Sequence, residues 1–142
     1  MGLINKYIKL TKFEKLIFIN AFFTSIKVRF NIKFFKMPYY VENLGEKGKQ
    51  LNTSEFNAEI VKIIIINVKR VSKYSFWRTK CFEEAYTAKL LMKKQNIKST
   101  IFFGVKKDEQ GSLNAHSWLK IGNNCIIGCN GIDKYTVTQF FT

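Results

Sequence analysis

Apolar residues dominate the first third of the chain and begin directly after a helix-start signal. Thr11 and Glu14 have the spacing of a capping box just ahead of a long apolar run. This pattern predicts a helix from residue 12 to about residue 29, apolar on nearly every side. Such a helix is either buried by partner elements or rests on a membrane surface. The uncharged run is too short to cross a bilayer, which needs roughly 20 apolar residues.

A second helical periodicity follows a glycine-rich and charged connection over residues 39–53, which Pro38 separates from the first helix. This connection is the best candidate for a loop over the functional site. Ser54 is a candidate cap for a helix whose apolar residues share one face. They are Val61, Ile64, Ile65, Val68 and Val71. The β-branched run at 63–66 argues for a strand instead, but the residue spacing favours a helix.

Good helix formers without Gly or Pro follow Cys81, which places this cysteine in the first turn of a third helix. Unpaired N–H groups and the helix dipole favour negative charge there, and Lys80 and Arg78 add positive potential. Cys81 is therefore a candidate thiolate nucleophile, although a lone cysteine is more often a small buried apolar residue. Glu83 and Glu84 favour the helix start electrostatically and show no sign of burial in the sequence.

The C-terminal half has the pattern of four strands. Turn residues separate apolar segments at 99–105, 113–121, 125–128 and 135–141. His116, the single histidine, lies in the middle of the second segment. The sequence thus predicts an α+β fold, with two or three N-terminal helices, a helix that begins at the cysteine, and a four-stranded, mostly antiparallel sheet packed against it.

A cysteine at a helix start and a histidine on a later antiparallel strand is the layout of papain-like enzymes and transglutaminases. In that layout the imidazole accepts the thiol proton. Several polar residues after the histidine are candidates for orienting its ring: Asn123, Asn124, Asn130 and Asp133. Trp77 and Trp118 flank the cysteine and the histidine. We interpret them as core packing at the helix–sheet junction, with a wall of a peptide groove as the alternative.

Several short motifs together resemble those of one known family. They are Trp77-Arg78-x-x-Cys81-x-x-x-Ala85, Gly104-Val105-Lys106-Lys107-Asp108, Ala115-His116-Ser117-Trp118-Leu119 and Ile127-Gly128. These motifs, and the first forty residues, resemble the transglutaminase-like leader peptidases of lasso-peptide biosynthesis, the B-type proteins in their separate short form. The resemblance implies a single domain over 1–142, with a helical N-terminal region and connecting loop over 1–53. A papain/transglutaminase-like cysteine peptidase core would then occupy 54–142.

The resemblance also implies an activity and its residues. The expected enzyme removes the leader from a ribosomally made precursor through a thioester on Cys81, with His116 as the base and no cofactor or metal. Many family members have an Asp shortly after the histidine strand, and Asn130 lies nearest that position here. The absence of that Asp keeps a second interpretation open, in which the protein is a catalytically weak or inactive scaffold that binds the precursor and the cyclase. A transferase, in which an amine takes the thioester, is the third.

The implied partners are the precursor, a PqqD-like leader-recognition protein and an asparagine-synthetase-like cyclase. Little of a 142-residue chain remains for a long substrate groove, so we expect a second protein to deliver the leader. The apolar face of the 12–29 helix suits such a contact, and we expect Phe18 and Phe22 to take part. Peripheral membrane association is the alternative use of this helix.

Composition limits the other classes of function. A hydrophobic content of 46% is enough for one core, and a net charge of +14 with 15% aromatic residues raises nucleic-acid binding as a rival. The lysines are scattered, however, and no RNA-binding or zinc-finger spacing appears. We therefore interpret the charge as a solvated surface, with an acidic peptide segment as the next explanation.

Three cysteines without paired spacings indicate reduced thiols and a cytoplasmic protein. The spacing of Cys125 and Cys129 is weak for zinc. We expect one of them in a strand and the other in a turn.

Overall fold

The computed structural model describes residues 3–36, 41–49, 55–77 and 79–142. Its helices are α1 (Leu3–Ile8), α2 (Lys12–Phe34), α3 (Ala58–Tyr74) and α4 (Cys81–Lys94), with short 3-10 turns at Glu42–Leu44 and Ile132–Lys134. Its strands are β1 (Thr100–Lys107), β2 (Leu113–Ile121), β3 (Asn124–Ile127) and β4 (Thr136–Phe141). The predicted α+β fold class is confirmed.

The four strands form one antiparallel sheet in the order β3-β2-β1-β4. The strands of each neighbouring pair thus run in opposite directions, and β1 lies between β2 and the chain's last strand. Gly104 of β1 lies opposite His116 of β2. A Cβ atom at Gly104 would lie 2.8 Å from the Trp118 ring, so the histidine-bearing face needs a glycine there.

Helix α2 begins with the predicted capping box. Thr11 Oγ1 accepts from the Glu14 N–H, and the Glu14 carboxylate accepts from the Thr11 N–H at 2.8 Å. These hydrogen bonds lower the pKa of Glu14. The helix continues past the predicted end at residue 29 as far as Phe34, because no helix breaker occurs before Pro38.

Helix α3 confirms the helical interpretation of the β-branched segment. Val61, Ile64, Val68 and Val71 are all buried along one face. Burial of this face outweighs the poor helix propensity of β-branched residues, since tertiary packing routinely overrides propensity. The N-cap is Asn57, whose side chain accepts from two backbone N–H groups; Ser54 lies outside the described residues.

Three helices and one face of the sheet enclose the core. Helix α4 lies in the middle, contacting α2, α3, β1 and β2, and its Tyr86, Leu91 and Met92 are almost fully buried. From the sheet, Ile101 and Leu119 are buried against the helices. The position of α4 at the centre fixes where its first residue, Cys81, meets the surface.

The described part of the predicted connection, residues 41–49, lies beside β4 rather than over the start of α4. The Glu46 N–H donates to the Thr142 carbonyl at 2.8 Å, and Lys47 bridges to Phe141. This segment also lines a cavity of about 800 Å³ with Lys89 and Lys93, near the far end of α4 from Cys81. The remainder of this connection, residues 39–40 and 50–53, lies outside the described residues.

None of the helices in the described ranges is long and apolar enough to span a bilayer.

Candidate active site

Cys81 is the first residue of α4, as the sequence predicted. It is half-buried, and it carries the one free thiol among the three cysteines. Lys80 occupies the N-cap position with an extended backbone. The first-turn N–H groups of a helix have no partner within the helix, so the thiol lies beside unpaired donors and the positive end of the helix dipole. Arg78, which the sequence placed nearby, lies outside the described residues.

The start of α4 is attached to the two preceding helices by acidic side chains. Glu83, only 6% exposed, accepts from Arg29 Nη1 of α2 at 3.2 Å and from the Lys80 N–H at 3.2 Å. Ser72 Oγ of α3 donates to Glu84. These contacts correct the expectation that Glu83 shows no burial. They make Glu83 a positioning residue for the helix turn that carries Cys81.

His116 is oriented by a backbone carbonyl. Its Nε2 lies 2.7 Å from the Gly128 carbonyl oxygen, which can only accept a hydrogen bond. Nε2 therefore carries a proton, and in the neutral ring Nδ1 is the nitrogen with a free lone pair. The imidazole is half-buried between Tyr135 and Trp118, with ring centroids 5.1 Å and 6.0 Å away. The base predicted from the sequence thus has one defined tautomer.

The Gly128 carbonyl occupies the place that the sequence analysis proposed for Asn130. The Asn130 side chain is exposed and makes no hydrogen bond to His116. The other candidates, Asn123, Asn124 and Asp133, are exposed as well. Every residue has a main-chain carbonyl oxygen, so no residue type in the sequence could indicate which carbonyl orients the histidine.

Gly128 itself is required by its backbone conformation and its surroundings. Its φ is +73°, in the left-handed region that glycine adopts at little cost. A Cβ atom there would lie 2.5 Å from the Ser117 carbonyl oxygen and 3.2 Å from Trp118 Cα. The close approach to β2 is what brings the Gly128 carbonyl within reach of His116.

The thiol and the imidazole are not hydrogen-bonded to each other in this structure. Helix α4 covers the face of the sheet that carries Phe103 and Leu119, and the Phe82 ring lies 5.1 Å from that of Phe103. Strand alternation places His116 on the other face with Trp118. The dyad predicted for Cys81 and His116 is therefore open in this structure, because the helix that carries the thiol and the imidazole lie on opposite faces of the sheet.

Three buried polar groups near these two residues have no partner within the described structure. They are the indole N–H groups of Trp77 and Trp118 and the hydroxyl of Thr79. Trp118 is 2% exposed and stacks on Phe102, so it is buried, but on the sheet face away from α4 rather than at the helix–sheet junction. The Trp77 ring centroid lies 6.0 Å from that of Phe22. Buried donors without acceptors are rare in native proteins. Trp77 and Thr79 immediately precede the helix that begins at Cys81.

Cys125 and Cys129 form a disulfide with a Cα–Cα distance of 5.7 Å. The prediction of three reduced thiols is therefore wrong, whereas Cys125 lies in β3 and Cys129 in the loop that follows it, as expected. The sequence could not reveal the bond, because a spacing of four residues is also compatible with two free thiols. The disulfide closes a short loop around Gly128, next to the carbonyl that orients His116.

No group of three side chains suitable for a metal ion occurs within the described ranges.

A family model described as the Transglutaminase-like superfamily matches residues 45–139. The matched segment includes α3, α4 and most of the sheet, and with them Cys81, His116 and Gly128. No curated protein and no solved structure shows a significant similarity to the chain.

Proposed function

Because the chain belongs to the transglutaminase-like superfamily, we propose that it is a cysteine peptidase that removes the leader from a ribosomally synthesised, lasso-type precursor peptide. The observation that carries the proposal is the position of Cys81. The one free thiol of the chain is the first residue of a helix whose start is attached by the partly buried Arg29–Glu83 pair. The sequence motifs around Cys81 and His116 support the finer assignment to leader removal.

The proposed mechanism requires a rearrangement that brings the His116 imidazole to the start of α4, where Nδ1 of His116 accepts the proton of the Cys81 thiol. The thiolate attacks the carbonyl carbon of the scissile bond, and the first-turn N–H groups of α4 stabilise the oxyanion. The imidazolium then donates its proton to the leaving amine of the core peptide. The leader remains as a thioester on Cys81 until water, deprotonated by His116, releases it and regenerates the thiol.

The carbonyl of Gly128 fixes the tautomer that this mechanism needs. A neutral carbonyl stabilises an imidazolium less than a carboxylate does, because hydrogen bonds to ionised acceptors are stronger. We therefore expect a slower enzyme than one with an acidic third residue, with activity that depends on delivery of the substrate. Loss of the third member of a catalytic triad costs less than loss of the nucleophile or the base.

We further propose that a PqqD-like recognition protein delivers the leader and that an asparagine-synthetase-like cyclase acts on the freed core. Tethering the scissile segment raises its effective concentration without any change at the site. Phe18 and Phe22, which the sequence analysis placed in the docking surface, are only partly exposed and pack against the core. Substitutions there would test stability rather than docking.

The experiment is mass analysis of the precursor after incubation with the enzyme, with and without the recognition protein. We expect a free leader and a free core, faster with the recognition protein, and neither with Cys81→Ala. Asn130→Ala serves as the matched control at the residue that the structure leaves exposed, and it should retain activity. A new amide in place of hydrolysis would identify a transferase, and unchanged precursor under all conditions would contradict the peptidase proposal.

A binding scaffold for precursor and cyclase is the second candidate function. The specific observation that favours it is the open arrangement of Cys81 and His116, together with a carbonyl where the family has an acidic side chain. A scaffold would bind the precursor equally well in its native form and as the Cys81→Ala variant, and it would leave the precursor mass unchanged. Binding and cleavage measured on the same two proteins separate the alternatives.

A further inference from the structure

Helix α2 has a second apolar face that the rest of the described structure does not cover. Six large apolar side chains on this face are between 40% and 64% exposed. They are Leu16, Ile19, Phe23, Ile26, Phe30 and Phe34, which we call the α2 stripe. Their spacing of three or four residues aligns them along one side of the helix, since one turn takes about 3.6 residues.

The α2 stripe lies opposite the side of the helix that enters the core. Ile17, Ala21 and Val28 are nearly fully buried on that inner side. The apolar character on all sides of α2, visible in the sequence, therefore has two separate causes. The inner face packs against the other elements of the fold. The outer face is a candidate binding surface, because a contiguous exposed apolar surface usually marks an interaction site.

Lysines border the stripe along its length. At about 100° per residue, Lys33 lies on one flank of the stripe and Lys27 on the other, while Lys12 is at its start. All three are exposed, and the Lys33 ammonium lies 5.6 Å from the centroid of the Phe34 ring. The one acidic residue of α2, Glu14, is engaged in the capping box. The surface is thus apolar at its centre and positive at its edges.

We propose that the α2 stripe docks the protein on a membrane surface that contains anionic lipids. A helix of 23 residues, about 34 Å long, would lie in the plane of the membrane with the stripe at the acyl boundary. The flanking lysines would reach outward to the phosphates, as long cationic side chains do at such boundaries. The proposal is independent of the peptidase chemistry and does not require Cys81.

Charge argues against a second copy of the chain as the occupant of this surface. The net charge is +14, so pairing two α2 helices along their stripes would bring the lysine borders of two strongly positive molecules together. A protein partner would need an acidic rim around an apolar groove. The stripe itself contains no polar side chain that could select such a groove by hydrogen bonds, whereas a lipid surface requires none.

The test measures partition of the whole chain onto vesicles by co-sedimentation. Phosphatidylcholine vesicles are compared with vesicles that also contain phosphatidylglycerol. We expect binding to the second kind, weakened by salt, and a loss of about tenfold or more in the double variant Phe23→Ser, Phe30→Ser. The control is Phe76→Ser, which removes a side chain that is 95% exposed but lies outside α2 and should change nothing.

Two double variants with the same net charge as each other test the lysines that border the stripe. Lys27→Gln with Lys33→Gln should weaken binding by roughly fivefold per lysine, while Lys107→Gln with Lys134→Gln, exposed elsewhere, should have a much smaller effect. Absence of binding to phosphatidylglycerol vesicles would overturn the proposal, as would equal losses in the two lysine pairs. Self-association in sedimentation velocity that is lost in the Phe23, Phe30 double variant would assign the stripe to a second copy instead.

Discussion

Substitution of Gly128 by Ala tests whether the backbone around this residue orients His116. The structure requires glycine there for two reasons, a φ of +73° and a Cβ position 2.5 Å from the Ser117 carbonyl oxygen. Gly131 provides a matched control, because its φ is +66° and no atom lies within 4 Å of its would-be Cβ. The two alanine variants share the cost of the left-handed conformation and differ in the clash.

The expected costs follow from this geometry. The left-handed conformation costs an alanine about 1–2 kcal/mol. The contact at Gly128 is with the backbone of β2 at Ser117, which is paired with Phe103 of β1 and cannot move freely. Relief of such overpacking adds about 1–3 kcal/mol. We therefore expect Gly131→Ala to lower the free energy of unfolding by about 1 kcal/mol and Gly128→Ala by about 3 kcal/mol.

Urea unfolding measures the two free energies, and ¹⁵N NMR of the imidazole reports the orientation of the ring. His116 is the single histidine, so its ring signals need no further assignment. In the neutral ring, the native protein and Gly131→Ala should show a protonated Nε2 and an unprotonated Nδ1, and Gly128→Ala should show a mixture of tautomers. Equal stabilities with identical ring spectra in the two variants would refute the role of the Gly128 carbonyl.

Three further predictions concern the stability and the thiols of the fold. Arg29→Met leaves the buried Glu83 carboxylate without its cation and should lower the free energy of unfolding in urea by about 2 kcal/mol, less than for a fully buried pair because the Arg29 side chain is 40% exposed. The control, Lys49→Met in an exposed ion pair, should lower it by under about 0.5 kcal/mol. Equal losses in the two variants would contradict a role for burial. Burial lowers the pKa of Lys89 to about 8 from 10.5. The unfolded chain then binds more protons between these values, so stability should rise from pH 8 to pH 10.5, and a Lys89→Met variant that keeps the same slope would refute this origin. Iodoacetamide should label only Cys81 in the native, unreduced protein, as read by peptide mass mapping; labelling at the Cys125–Cys129 pair without reductant would contradict the disulfide.

Features encoded by neighbouring residues could be predicted from the sequence. The capping box at Thr11, the start of α4 at Cys81 and the bounds of β2 all depend on short-range signals, and the structure has each of them where expected. The partly buried pair of Arg29 and Glu83 could not be predicted, because 54 residues separate its members. Single-sequence patterns carry no information on such a pairing.

Other features of the site were missed for different physical reasons. The Gly128 carbonyl that orients His116 belongs to the main chain, which every residue type shares. The sequence also could not tell which side of α2 faces outward, because apolar residues surround the helix. Phe18 and Phe22 were expected in a docking surface but pack against the core, whereas Phe23 and Phe30 are exposed.

The central claim, that Cys81 carries the leader as a thioester, is tested most directly by intact-mass analysis of the enzyme quenched in acid during turnover of the precursor. The proposed mechanism predicts a species heavier by the leader acyl group, located at Cys81 by peptide mapping and absent in Cys81→Ala. Cleavage that persists in Cys81→Ala, or an acyl group on any other residue, would contradict the account.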